Sequence, residues 1–162
     1  MIIKAPTLWV SNPKYLLDLS VFLAGSIEMG EAVNWQDSLG KRLEANDFLV
    51  INPRRDDWDA SWTQSIENPE FHTQVSWELN SITEADWVVF HFEPGTQSPI
   101  TLMELGYVAG AFPDKAIVHC PEGFWRKGNV DIVCERFGIY TVERLGDIPD
   151  LLSELAGLSW AA

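Results

Sequence analysis

Solid runs of apolar residues alternate along the chain with stretches in which apolar positions recur every three or four residues. Runs of the first kind read as strands buried on both faces, and stretches of the second as helices with one buried face. Ser20-Val21-Phe22-Leu23-Ala24 predicts a strand that ends at Gly25-Ser26. Trp35, Leu39 and Leu43 stand at i, i+4 and i+8 and predict a helix over about 33–46. Residues 48–51 predict a second strand, stopped by Asn52-Pro53. Phe71, Val75, Leu79 and Ile82 share one face of a helix predicted over about 70–84, and residues 86–92 predict a third strand. A loop at 93–97 leads to Pro99, which suits a first helical turn, and the helix continues over 100–112. Residues 115–120 predict a fourth strand, 130–137 a short helix, 139–142 a fifth strand and 148–155 a closing helix.

Strands that are apolar throughout and alternate with helices define an α/β fold. The expected form is a flavodoxin- or Rossmann-like open sheet of about five mostly parallel strands with helices on both faces. No repeat, linker or low-complexity tract interrupts it, so residues 1–162 are expected to form a single domain. In open sheets of this kind ligands sit beyond the carboxyl ends of the strands, at a topological switch point. That rule directs attention to 25–30, 52–59 and 93–104. The stretch 53–69 is polar, tryptophan-rich and without period, and a loop this long in a compact domain is commonly functional or disordered.

Composition narrows the classes of partner. Eleven Lys and Arg stand against 24 Asp and Glu, a formal net charge of -13, and the excess is spread along both halves. Such a chain lacks the basic footprint of a nucleic-acid binder and has no attraction for anionic lipid. A hydrophobic content of 46% excludes a disordered chain. Two cysteines, Cys120 and Cys134, are too few for a disulfide scaffold. The first residues show no signal-peptide core, and no apolar run approaches the roughly 20 residues that span a bilayer. The expected setting is a reducing cytoplasm with free thiols.

Several motifs have a functional and a simpler reading. Gly25 and Gly30 are spaced as in a phosphate loop, but Glu31 stands where the lysine belongs, which excludes an ATPase. Small residues there, Gly25 and Ser26 first, let a ligand approach the backbone; a plain strand-to-helix turn is the alternative. Glu104 lies among Leu102, Met103, Leu105 and Val108, and carboxylates are almost never buried unless paired or functional. A carboxylate in an apolar pocket serves as nucleophile or acid/base; the alternative is a solvent-facing helix residue. Glu78 stands on the preceding helix, and two carboxylates converging from different helices suit glycosyl transfer. Arg54 and Arg55 follow the second strand, able to bind an anion or a base carbonyl, or to pair with Asp56, Asp57 and Asp59. His72, His91 and His119 do not have zinc spacing with either cysteine, and His91 and His119 read as hydrogen-bonded strand residues. No G-x-S-x-G elbow is present, against an α/β hydrolase.

Four stretches together resemble the nucleoside 2-deoxyribosyltransferase family, closest to its deoxyribosyltransferase-like branch and related to the deoxynucleoside monophosphate N-hydrolases. They are Phe22-Leu-Ala-Gly-Ser-Ile27, Asn52-Pro-Arg-Arg55, Trp77-Glu78 through Ala85-Asp86-Trp-Val-Val89, and Met103-Glu-Leu-Gly-Tyr107. Carried over by position, the resemblance implies that Glu104 is a nucleophile and that Glu78 replaces an aspartate near the leaving base. Ser98 matches a position that is aspartate in the transferases and serine in the monophosphate hydrolases. Asn129 falls where transferases place an asparagine that reaches the sugar of a neighbouring subunit. Phe22 replaces a tyrosine that holds the nucleophile.

The resemblance implies cleavage of an N-glycosidic bond, with transfer of the sugar to another base or to water. A nucleoside or nucleotide and a free nucleobase are the expected small-molecule partners. Nucleic acid and membrane are not expected partners, and neither a metal nor an organic cofactor is called for. A homo-oligomer with the site near a subunit interface is expected. Gly25, Ser26, Phe22, Arg54, Asp57, Trp58, Ser98 and Asn129 are the expected binding residues, with Trp58 and Trp62 as walls for the base. A sensor that binds without turnover, and a structural or partner-binding domain, remain as readings of other classes.

Overall fold

The computed structural model describes residues 1–15, 18–27, 34–55, 59 and 61–159. Six strands form one parallel sheet: β1 (Ile2–Lys4), β2 (Ser20–Gly25), β3 (Leu49–Asn52), β4 (Trp87–His91), β5 (Ala116–His119) and β6 (Tyr140–Thr141), in the order β1-β3-β2-β4-β5-β6. Among the described residues, four α-helices connect strands β2 to β6, α1 (Trp35–Glu44), α2 (Pro69–Glu84), α3 (Pro99–Ala111) and α4 (Lys127–Phe137), and α5 (Ile148–Ser159) follows β6. The sheet therefore has six strands rather than about five. The additional strand, β1, is three residues long and pairs with β3, Ile3 opposite Ile51.

Two apolar layers sandwich the sheet. Val21 and Leu23 of β2 face Trp35, Leu39 and Leu43 of α1 and Ile148 and Leu152 of α5. Phe22 and Ala24 point the other way, towards Trp77 and Ile82 of α2, Leu105 and Val108 of α3 and Val130 and Cys134 of α4. Strands buried on both faces need no polar alternation, and every residue of β2, β3 and β5 is buried. The edges differ. β6 is two exposed residues, and β1 is only part-buried. Short edge strands of this kind limit pairing with other chains.

Local signals set the helix ends. Asn34 caps α1 by accepting from the Asp37 amide, and Asn68 caps α2 by accepting from the Phe71 amide, with Pro69 in the first turn. The face predicted for α2 is displaced. Leu79 is exposed and Phe71 and Val75 are only half-buried, whereas Gln74, Trp77, Ser81 and Ile82 are buried. Polar residues on the inner face are tolerated because they are hydrogen-bonded: Trp9 Nε1 donates to Ser81 Oγ at 3.0 Å. Asp86 ties the start of β4 to β2, its carboxylate accepting from the amide and hydroxyl of Ser20 at 2.8 and 2.7 Å.

Candidate active site

The chain leaves β2 for β3 on one side and later places β4 on the other, so the switch point lies between β2 and β4. Their carboxyl ends are Gly25 and His91, paired in register. The approach is too close for a side chain. A Cβ on Gly25 would stand 2.5 Å from the His91 carbonyl oxygen and 2.5 Å from Trp35 Cζ2. Trp35 Nε1 donates to the Ser26 carbonyl at 3.1 Å, which holds the turn against α1.

Three hydroxyls meet beyond this edge. Ser26 Oγ accepts from the Glu93 amide at 3.0 Å and is hydrogen-bonded to Thr96 Oγ1 at 2.9 Å and to Ser98 Oγ. Thr96 Oγ1 lies 2.8 Å from Ser98 Oγ and donates to the Glu93 carbonyl at 2.8 Å. Ser98 is the residue before α3 and has a left-handed backbone, φ 46°, uncommon without glycine. Its side chain makes no capping bond to α3, because its oxygen is engaged by the other hydroxyls.

Behind the cluster, His91 and His119 stack with ring centroids 4.9 Å apart, and their Nδ1 atoms are 2.8 Å apart. His91 Nε2 lies 2.8 Å from Glu93 Oε2. One proton must lie between the facing Nδ1 atoms. Burial lowers both histidines below the usual imidazole range, and the Glu93 hydrogen bond and charge pull His91 part of the way back. These are the hydrogen-bonded strand histidines that their positions predict.

Glu104 is the sole charged residue of α3. It is 7% exposed and shares the buried face with Thr101, Leu105 and Val108. Burial, and then the charge of Glu78, pushes its carboxyl up to about 8. Glu78 is itself pushed up to about 7 by burial, against a hydrogen bond from Gln74 that lowers it. The helices thus bring the two carboxyls within electrostatic reach of each other, as the sequence reading expects. Two like charges there would repel, so the pair favours holding a proton near neutral pH.

The other expected residues divide. Gly25, Ser26 and Ser98 meet at the switch point. Phe22 is core, packed on Trp77 with centroids 6.3 Å apart. Arg54 is half-buried beyond β3, its amide bonded to Asn52 Oδ1. Asn129 is exposed on α4. Gly30, Glu31, Asp57 and Trp58 lie outside the described residues. Thr96, Gln74 and the His91–Glu93 pair were not singled out as site residues. Gln74 stands four positions before Glu78, a helical neighbour spacing that was there to be read. A separate cavity of about 780 Å³ opens between β5, β6 and α4, lined in part by Cys120, Lys127, Asp131 and Cys134, and it includes neither Glu78 nor Glu104. Among the described residues, no helix is long and apolar enough to cross a membrane.

A parallel open sheet whose switch point carries the hydroxyls of Ser26, Thr96 and Ser98 defines an α/β protein of the class in which ligands sit at the carboxyl edge. The chain belongs to the nucleoside 2-deoxyribosyltransferase-like family, whose profile matches residues 18–124, more than half of its length. The matched span contains Glu78, Ser98 and Glu104 and ends before Asn129. No curated protein matches the chain.

Proposed function

We propose that the protein cleaves the N-glycosidic bond of a nucleoside or deoxynucleoside through a glycosyl ester on Glu104 and passes the sugar to another base. The observation that carries this reading is Glu104 itself, a buried carboxyl on an otherwise uncharged helix with a second carboxyl, Glu78, acting on it. In the first step a Glu104 oxygen attacks the anomeric carbon. The bond from that carbon to the base nitrogen breaks, and its electron pair leaves with the base. Glu78 supplies the proton that the departing base takes up, which requires the raised pKa that burial provides. A nitrogen of a second base, giving up its proton to Glu78, then attacks the same carbon from the opposite face and releases the Glu104 carboxylate, so configuration is retained. The oxocarbenium character of both transition states favours the Glu104 anion at the moment of reaction. Phe22 has no hydroxyl to offer Glu104, and its ring packs on Trp77.

A second reading has its own support. The hydroxyls of Ser26, Thr96 and Ser98 converge at the start of α3, whose first amides receive no side-chain cap from Ser98. Hydroxyls and a helix N-terminus suit an anionic group, which favours a nucleoside 5'-monophosphate and hydrolysis by water. Asn129, exposed on α4, is proposed to reach the site of a second copy of the chain, and the active form is then an oligomer.

One chromatographic assay separates the readings. Deoxynucleosides, ribonucleosides and 5'-monophosphates are incubated with the protein, with and without a second free base. Exchanged nucleoside supports transfer; free sugar or sugar phosphate without exchange supports hydrolysis; binding without either product supports a sensor. Glu104→Ala should lower turnover by at least about 10³-fold while leaving the fold intact. Unchanged turnover in that variant removes the covalent mechanism.

A further inference from the structure

We propose that Gln74 is a positioning residue for Glu78: its buried amide ties the Arg55 guanidinium, which lies over the Trp62 ring, to the Glu78 carboxyl and sets how readily that carboxyl yields its proton. The inference rests on the reading of Glu78 as the donor to a departing base.

Gln74 lies one helical turn before Glu78 and is 2% exposed. Its Nε2 donates to Glu78 Oε1 at 2.8 Å and to the Pro53 carbonyl at 3.2 Å. Its Oε1 accepts from Arg55 Nη1 at 3.4 Å. The orientation of the amide follows from its neighbours. A guanidinium only donates and a backbone carbonyl only accepts, so the oxygen must face Arg55 and the nitrogen must face Pro53. The flipped amide would break both contacts. The same nitrogen therefore presents an N–H to Glu78 Oε1, and the proton of the neutral acid sits on the other oxygen.

A hydrogen bond donated to a carboxylate stabilises the charged form. Burial acts in the opposite direction on Glu78 and is the larger effect. The charged groups facing Glu78 among the described residues are Glu104 from α3 and, through Gln74, Arg55 from the segment after β3. Burial raises the cost of a Glu78 anion, the Gln74 amide lowers it, and the anion once formed makes Glu104 harder to ionise. Without the amide, Glu78 would hold its proton too tightly to act as an efficient acid near neutral pH. The link extends outward, because the Arg55 guanidinium lies 5.1 Å from the centre of the Trp62 ring. A cation at the Gln74 carbonyl polarises the amide and strengthens its N–H donors.

The test measures Glu78 directly and independently of substrate. In protein labelled with ¹³C at glutamate carboxyls, the Glu78 titration is followed by NMR for wild type, Gln74→Met and Arg55→Met, with Glu78→Gln assigning the resonance. The Gln74→Met midpoint should rise by about one pH unit, and that of Arg55→Met should rise by less. In parallel, kcat for nucleoside cleavage in Gln74→Met should fall about tenfold, with the alkaline limb of its pH profile displaced upward and KM changed little. An unmoved Glu78 midpoint in Gln74→Met overturns the inference. Arg55→Met is a loop variant that leaves Gln74 in place, so an unmoved midpoint there overturns the Arg55 link even if Gln74→Met does not fold. A wild type without glycosidic turnover, with the Gln74→Met midpoint still displaced, overturns the reaction and leaves the amide link standing.

Discussion

Glu104 is held where a carboxylate is least stable, and that has a consequence for stability apart from any reaction. Its folded pKa is pushed up to about 8 from an ordinary 4.5, with burial the larger cause and Glu78 the second. Between these values the folded chain binds more protons at this position than the unfolded chain does. Stability is then fully present below about 4.5 and is lost as pH rises through 8. Glutamine keeps the shape and removes the charge. Glu104→Gln should therefore be more stable than wild type at pH 8, by on the order of 4 kcal/mol, and the difference should vanish near pH 4.5. Urea denaturation at the two pH values checks it. A difference between variant and wild type that is the same at both pH values would mean that Glu104 ionises without cost. Gly25 makes the complementary point, since it is required for the space it leaves beside His91 and Trp35 rather than for any group it carries.

At the scale of elements, the position of Glu78 depends on how α2 ends. Lys115, in the turn before β5, donates from Nζ to the carbonyls of Ile82, Thr83 and Ala85 at 2.8, 2.8 and 3.0 Å. These are the unpaired carbonyls of the α2 C-terminus, where a cation also meets the favourable end of the helix dipole. Lys115→Met keeps the apolar stem and removes the donors, together with the ammonium that lies over the Phe112 ring, and should cost about 2 kcal/mol, read as a lower urea midpoint with an unchanged slope. A loss below about 0.5 kcal/mol would show that water caps the helix equally well. No pattern in the sequence announces this staple, because it joins residues thirty positions apart. The central strands and every helix were legible, since runs such as the one at 20–24 can only be buried. The register of α2 was not legible from its apolar residues, because Gln74 and Ser81 face inward with partners supplied by distant segments. β1 escaped because three residues are too short for any periodicity to emerge. The carboxyl pair was legible through Glu104, an acid in an apolar helix, but the hydroxyl cluster needed the left-handed turn at Ser98, and nothing about serine signals that conformation.

The whole molecule leaves one helix with an unusual surface. α3 carries no charge besides buried Glu104, yet Ile100, Met103 and Tyr107, at i, i+3 and i+7, are 57%, 61% and 40% exposed. A helix that is apolar all round is ordinarily buried all round. Leu79 of α2 is also exposed, and the Tyr107 hydroxyl is within 3.1 Å of Thr83 Oγ1, so the two helices present adjoining apolar surface. A second copy of the chain is the proposed cover, in keeping with a site that borrows Asn129 across the interface. Light scattering should then find an oligomer, and Met103→Glu, which places a charge in the stripe, should shift it towards monomer. The borrowing has a sharper signature. Glu104→Ala and Asn129→Ala should each be inactive alone, because every site lacks one of the two groups. When the two variants are mixed and allowed to exchange subunits, some sites receive Glu104 from one chain and Asn129 from the other. Those sites are complete, so activity should return to a substantial fraction of wild type. If both residues serve a site within one chain, no exchange can rebuild it, and the mixture stays inactive.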